Sequence, residues 1–379
     1  MRIAIATTTG FHLVHLAREL IEMGHEVTYY SSHPRYRICR DGVPRAHVRS
    51  QFARLQPIAT GALQRVVPAL QGRCVEAMLE RMDDQVARCL EPCDVFIGLS
   101  AMIDRSGEVA RRRFGARVIA DRGAMHVLTQ RALTALNGKS TLTDCYVRRE
   151  LRSYEVADYV ALPSKNCIRS FIEHGVPAHK LFLNQYGVDL SRFSPTAQPD
   201  GDFTLIFVGN WSRTKAVDII SAAASQLTDV KFIHVGTVGD CSIPQMKNFK
   251  SLGHIPNGLL RDIYAKAHAL LLPSRQDGFG MVMLEALASG LSVIASDKTG
   301  APDIKDKMTN KGMVEIVRAG SVESLVDAIE RMRVRSAVIP SRTLRHVMSE
   351  EDISYFGWYA YARRYAEFIA GIHRQGNRE

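Results

Sequence analysis

Short apolar runs alternate with longer helical patterns along most of the chain, and the alternation restarts about halfway. RIAIATT, EVTYYSS, CDVFIGLS, ARVIAD and YVALPS read as strands in the first half; FTLIFVGN, VKFIHVG, HALLLPS and LSVIASD read as strands in the second. Strands this apolar are buried on both faces. Helical crossovers between them make the strands parallel, so the pattern predicts α/β structure built from β-α-β units. Residues 13–23 form an amphipathic helix closed by Gly24, and residues 216–227 form another. With 379 residues the chain is long enough for two domains, and the restart near Asp202 assigns one to each half. The join is expected near Tyr186–Pro195, where glycine and proline lead into the turn-rich AQPDGD. Ser349-Glu-Glu-Asp352 is a helix start, a capping residue followed by acids, and an aromatic-rich helix is expected over residues 355–372.

Hydrophobic residues make up 46% and charged residues 23%, which suits a globular protein with a substantial core. No apolar run reaches the ~18–20 residues of a membrane span, and the first residues read as a strand and not as a signal peptide. The seven cysteines include no C-x-x-C pair, which argues against a disulfide framework or structural zinc and for a reducing cytoplasm. The net charge of +10 favours anionic partners. Arginines gather at 35, 37 and 40, at 111–113, and at 148, 149 and 152, so a positively charged N-terminal surface is expected.

The most informative segment is SRQDGFGMVMLEALASG, residues 274–290. Two acids, Asp277 and Glu285, have seven residues between them, and Gly-Phe-Gly follows the first. HALLLPS brings the chain to the carboxyl edge of a parallel sheet, where ligands of such folds bind. Gly278 and Gly280 allow backbone amides to approach a ligand closely, and a helix starting near Met281 turns its free N–H groups toward that edge. Glu285, about one turn into the helix, is an acceptor for a pair of ribose hydroxyls, and Asp277 an acceptor for sugar hydroxyls. The segment reads as a holder for a phosphate with sugar on either side.

These residues resemble the hallmark of retaining glycosyltransferases of the GT-B fold, especially glycosyltransferase family 4, whose motif has glutamate at both acid positions. Asp277 stands in the first, one methylene shorter. The resemblance continues through Gly300-Ala-Pro-Asp-Ile304 and covers nearly the whole chain, most weakly over residues 35–90. It implies two Rossmann-like domains facing a central cleft, with FGWYAYARRYAEF as a C-terminal helix crossing back to the first domain. The implied division is 1–187 with about 356–379 for acceptor binding, and 188–355 for the nucleotide-sugar.

FVGNWSRTKAVDII resembles the strand-loop-helix whose basic pair meets the donor diphosphate. The lysine falls on Lys215. For the arginine, Arg213 is the nearest cation, and Asn210 stands where some members carry it. DRGAMH resembles the segment whose histidine sits by the donor sugar, giving His126. The implied catalytic group is His126, Lys215, Asp277 and Glu285. Donor contacts extend to Gly10, Gly209, Asn210, Arg213, Gly278, Phe279, Gly280 and Met281, with His254 and Ile255 beside the base. Gly10 follows the first strand and meets either donor phosphates or the acceptor. His12 is either an acceptor contact or a helix-start residue.

The family reaction needs no metal or other cofactor, and proceeds by same-face attack assisted by the departing phosphate. The implied donor is a nucleotide-diphosphate sugar, UDP first and GDP second. The implied acceptor is a glycan or lipid-linked sugar, in cell-envelope or exopolysaccharide synthesis. A cytoplasmic protein, peripheral at the inner face of an anionic membrane, fits the charge. Within the same fold a sugar-nucleotide epimerase or a phosphorylase is the alternative. A dehydrogenase would show G-x-G-x-x-G after its first strand, and ATTTGFH does not. A nucleic-acid-binding protein would show a basic motif interleaved with aromatics, and none is visible, so nucleic acid is not an expected partner.

Overall fold

The computed structural model describes residues 1–8, 11–50, 68–135 and 142–376. They form two compact units. One comprises residues 1–163, 167–184 and 358–379; the other comprises 164–166 and 185–357.

The first unit is built on a seven-stranded sheet: β1 (Arg2–Thr7), β2 (Glu26–Ser31), β3 (Val48–Arg49), β4 (Val95–Leu99), β5 (Arg117–Asp121), β6 (Tyr159–Leu162) and β7 (Leu181–Leu183). Their order is β3-β2-β1-β4-β5-β6-β7, and every pairing is parallel. Ile3, Ile5, Val95, Phe96, Ile97, Val118 and Ile119 are almost wholly buried, as a central parallel strand with helices on both faces requires. The second unit has β8 (Thr204–Val208), β9 (Lys231–Val235), β10 (Phe249–Ser251), β11 (Ala269–Leu272), β12 (Ser292–Ser296) and β13 (Val314–Val317). Their order is β10-β9-β8-β11-β12-β13, again all parallel. In each sheet the strand order reverses once, at β1/β4 and at β8/β11. Ligands of open parallel sheets bind at the carboxyl edge beside such a reversal.

The expected C-terminal helix is divided. Ser349 caps Glu350–Phe356 through a reciprocal box with Asp352, and Gly357, extended at ψ 154°, ends that helix. The chain continues as Trp358–Gly376, which packs within the first unit. Trp358 stacks on His15 at 4.4 Å between ring centroids, and Phe368 stacks on Phe182 at 3.9 Å. The aromatic spacing of this helix is therefore packing, worth roughly 0.5–1.5 kcal/mol per pair beyond area burial. Among the described residues no helix is long and apolar enough to cross a membrane.

Candidate functional site

The loops leaving β8 and β11 emerge side by side at the reversal point of the second sheet. The β8 loop begins at Gly209, whose N–H donates to the Val235 carbonyl at 2.9 Å. The facing residue is Gly236; a Cβ there would lie 1.9 Å from the Gly209 oxygen, so the two backbones touch. Asn210 is exposed and accepts from the Thr237 hydroxyl at 3.0 Å. Trp211 is fully buried and anchors the loop, donating its indole N–H to the Ser242 carbonyl at 2.9 Å. Next comes a single 3₁₀ turn, Arg213–Lys215. It closes at Ala216, buried at φ 58°, a left-handed conformation that a side chain adopts only under constraint.

That constraint comes from the β11 loop. Arg275 donates from its backbone to the Thr214 carbonyl at 2.9 Å and from Nη1 to the Arg213 carbonyl at 2.8 Å. Its guanidinium also grips both Asp218 oxygens, at 2.6 and 2.7 Å. Two residues further on, Asp277 Oδ2 accepts from the Lys215 ammonium at 2.5 Å. One loop thus fixes both the backbone of the basic turn and the tip of its lysine. A cation at a helix start opposes the helix dipole, and Asp277 offsets that penalty for Lys215. The Arg213 side chain is exposed and makes no ion pair among the described residues.

The Gly-Phe-Gly turn is rigid where it carries side chains. Phe279 is buried against Tyr186, and its carbonyl accepts from Gly300 N–H at 2.9 Å. The Gly278 carbonyl accepts from the Ser164 hydroxyl at 2.7 Å. Gly280 has φ +83°, and a Cβ on it would sit 2.5 Å from Leu272 Cδ2. The N–H groups of Phe279, Gly280 and Met281 donate to no acceptor among the described residues. Three adjacent amides left open beside a lysine form a ready anion cradle.

Glu285 sits on the helix Val282–Ala288 and is only 8% exposed. Its Oε1 accepts from Asn257 Nδ2 at 3.3 Å and its Oε2 from the Tyr264 hydroxyl at 3.2 Å. Burial raises its pKa above the ordinary carboxylate value, and the two hydrogen bonds pull the other way. Burial, then the Glu285 charge, push the Tyr264 hydroxyl well above its usual range, so it remains a donor. With one donor on each oxygen, the carboxylate is oriented and keeps lone pairs for a ligand's hydroxyls. His254 is exposed and Ile255 half-buried, on the stretch leading into the turn Asn257–Leu259. Asn257, Tyr264, Arg275 and Asp218 were not anticipated from sequence. Arg275 stands within the motif segment, but what it reaches is visible only in three dimensions.

His126 and His12 belong to the first unit. His126 is 2% exposed, stacked on His174 at 4.3 Å and edge-on to Phe171 at 5.0 Å. Burial, then the charges of His174 and Arg122, lower its pKa to about 4, so it is neutral at pH 7. Arg122, paired with buried Glu150, donates to the Met125 carbonyl and to Gln130, shaping the turn that carries His126. His12 is 1% exposed, its Nε2 2.6 Å from Asp121 Oδ1, with the Tyr365 hydroxyl on the other Asp121 oxygen at 3.4 Å. Its neighbour Phe11, the first residue of the helix Phe11–Glu22, is 55% exposed. Gly10 lies outside the described residues.

A profile described as "Glycosyl transferases group 1" matches residues 202–333. The GDP-mannose-dependent alpha-mannosyltransferase of Mycobacterium tuberculosis is 31% identical over 162 residues, 40% of this chain and 42% of that protein. The chain spans about half the length of the curated relatives it matches. Among solved structures, the sucrose-phosphate synthase of Thermosynechococcus elongatus superposes with TM-score 0.70 at 17% identity, covering 99% of this chain and 100% of that one. Anabaena HepE in complex with UDP-glucose superposes with TM-score 0.67 at 14% identity, covering 98% and 100%. At these identities the superpositions establish the fold. Residues 202–333 thus match the group 1 glycosyl transferases, and the two parallel α/β units have the GT-B fold.

Proposed function

We propose that this protein is a retaining glycosyltransferase that moves a hexose from a nucleotide-diphosphate sugar to a glycan or lipid-linked acceptor. The observation that carries this reading is the juxtaposition at the second sheet's reversal point. Open amides of Phe279–Met281 lie on the loop whose Asp277 holds the Lys215 ammonium, and an oriented Glu285 follows one turn later. Glu285 takes the ribose hydroxyls. Lys215 and the amides take the diphosphate, with Arg213 free to swing onto it. His254 and Ile255 flank the base, and Asp277 orients the sugar.

In the transfer step the anomeric carbon–oxygen bond to the diphosphate breaks as an acceptor hydroxyl oxygen bonds to the same carbon from the same face. The hydroxyl proton passes to the departing phosphate. Charge develops on the leaving diphosphate, and preplaced donors aimed at developing charge are usually the largest catalytic term. Lys215 and the backbone N–H groups stabilise that charge in this reading, which assigns no role to a metal. HepE was solved with UDP-glucose, whereas a relative in sequence is named for GDP-mannose, so both bases stand, uridine first. The setting we assign is envelope or exported polysaccharide synthesis at the cytoplasmic face of a membrane.

The test is a thermal-unfolding screen of the purified chain with UDP, GDP, ADP and their hexose conjugates. At about 100-fold over its dissociation constant the true nucleotide stabilises by ~2.7 kcal/mol. Glu285→Ala should abolish that shift while remaining folded. Proton NMR of the product's anomeric centre then reads retention directly. No shift with any nucleotide, or a free epimerised donor as sole product, overturns the reading.

A further inference from the structure

The three arginine clusters look alike in sequence and differ in the fold. In the second and third, Arg111 pairs with Asp158 at 3.0 Å, Arg112 with Glu108 at 3.7 Å, Arg149 with Asp83 at 3.5 Å and Arg152 with Glu108 at 2.6 Å. Those cations neutralise acids of the same unit. Arg35, Arg37 and Arg40, all on the short helix Arg35–Arg40, make no ion pair among the described residues. Arg37 reaches only the Tyr36 hydroxyl, at 3.3 Å. The Arg35 Nε is buried with no acceptor among the described residues.

The position of this helix is equally specific. β1 and β2 are neighbours, and their last paired residues are Thr7 and Ser31. Phe11 and Arg35 each follow four residues beyond those ends, and each begins the helix that follows its strand. The Ser32 hydroxyl donates to the Thr8 carbonyl at 2.6 Å, joining the residues that directly follow the two strands. Phe11 is 55% exposed and Tyr36 is 66% exposed. The edge therefore presents guanidinium groups without ion pairs among the described residues together with partly exposed aromatic rings. Guanidinium forks match carboxylates and phosphates, and an aromatic face covers the apolar C–H face of a sugar ring.

We propose that the helix Arg35–Arg40 and the start of the helix Phe11–Glu22 bind an acidic saccharide, bearing a carboxylate or a phosphate, through Arg35, Arg37 and Arg40, with Tyr36 and Phe11 against the sugar ring. The choice of a saccharide rests on the glycosyltransferase reading above; the preference for an anion rests on the unpaired arginines. The acceptor, on this inference, carries negative charge on the sugar unit that the first domain holds.

The test is isothermal titration of the full chain with methyl glucuronide, glucose 6-phosphate and neutral methyl glucoside, at low and at moderate salt. At least one acidic sugar should bind about tenfold or more tighter than the neutral one, with the gap narrowing as salt rises. The exposed-site variant Arg37→Gln/Arg40→Gln should lose about tenfold in affinity for the acidic sugar while keeping its unfolding temperature and its nucleotide binding. Equal binding of all three sugars, or an unchanged variant, overturns the proposal. So does inorganic phosphate binding as tightly as the acidic sugars, which would make this an ion site only. Binding of phosphatidylglycerol vesicles without any acidic-sugar binding would overturn it in favour of a membrane surface. Acid-selective sugar binding in a chain that binds no nucleotide would support this site and strike the donor assignment alone.

Discussion

The two units share one architecture and dress its carboxyl edge differently. In the second unit the edge is built from backbone. Glycines let strand ends touch, amides are left open, and each charged side chain except Arg213 is held by a named partner. In the first unit the edge is built from side chains. His12 and His126 are buried, and what it exposes are aromatic rings and arginines without ion pairs among the described residues. A backbone cradle suits a group common to many ligands, such as a diphosphate. A side-chain surface suits one particular ligand and changes with it. The comparison teaches that a shared fold fixes where ligands meet the sheet, while the edge chemistry decides which ligands.

The comparison breaks first at Lys215. Lys215→Ala should lower kcat by about 10²–10³, the scale for removing one preplaced donor. Steady-state turnover of a folded variant near wild type would remove the second edge from the reaction. Gly280→Ala forces a Cβ into a left-handed position against Leu272 and should destabilise by roughly 1–3 kcal/mol, read by denaturant unfolding. Arg275→Gln sharpens the contrast between a built edge and a loose one. It should cost about tenfold in kcat/KM by releasing the turn under Lys215, and should cost little more once Lys215 is already alanine. Multiplicative losses in the double variant would make Arg275 merely structural.

The smallest effects concern pH and burial. His126 in the folded first unit has a pKa of about 4, below its unfolded value near 6.5. The folded state holds the neutral form, so the contribution is complete above pH 6.5 and is lost as pH falls toward 4. Unfolding titrations should show a loss on the order of 1 kcal/mol across that window, flattened in His126→Phe. Glu285 has the opposite sign. Its folded pKa is raised, so its ionised form is a burden at neutral pH. Glu285→Gln should raise the unfolding midpoint by a few degrees while weakening nucleotide binding, the exchange of stability for function seen at many sites.

All nine apolar runs read as strands are strands, because a strand buried on both faces must be apolar throughout. The strands β3, β7, β10 and β13 are edge strands, two to four residues long and partly exposed, so their sequences carry no such run. The long aromatic helix was expected whole, yet Gly357 divides it at the passage from the second unit to the first. The motif segment displayed its acids and glycines in order, because a turn and a helix start are local. Its partners were not legible. Lys215 and Asp277 are separated by 62 positions, Tyr264 and Glu285 by 21, and nothing in their neighbours along the chain announces the pairing.

From its sequence alone this protein is a chain of two parallel α/β halves with an acid-glycine-acid motif at one strand end. Periodicity and turn chemistry act over a few residues and are written into the order of the side chains. Only the tertiary structure decided which arginines are neutralised and which are left for a ligand, which histidines are sealed in the core, and that Arg275 governs the lysine turn. Those outcomes depend on burial and on distances between residues far apart in the chain, and both exist only once the sheets have formed.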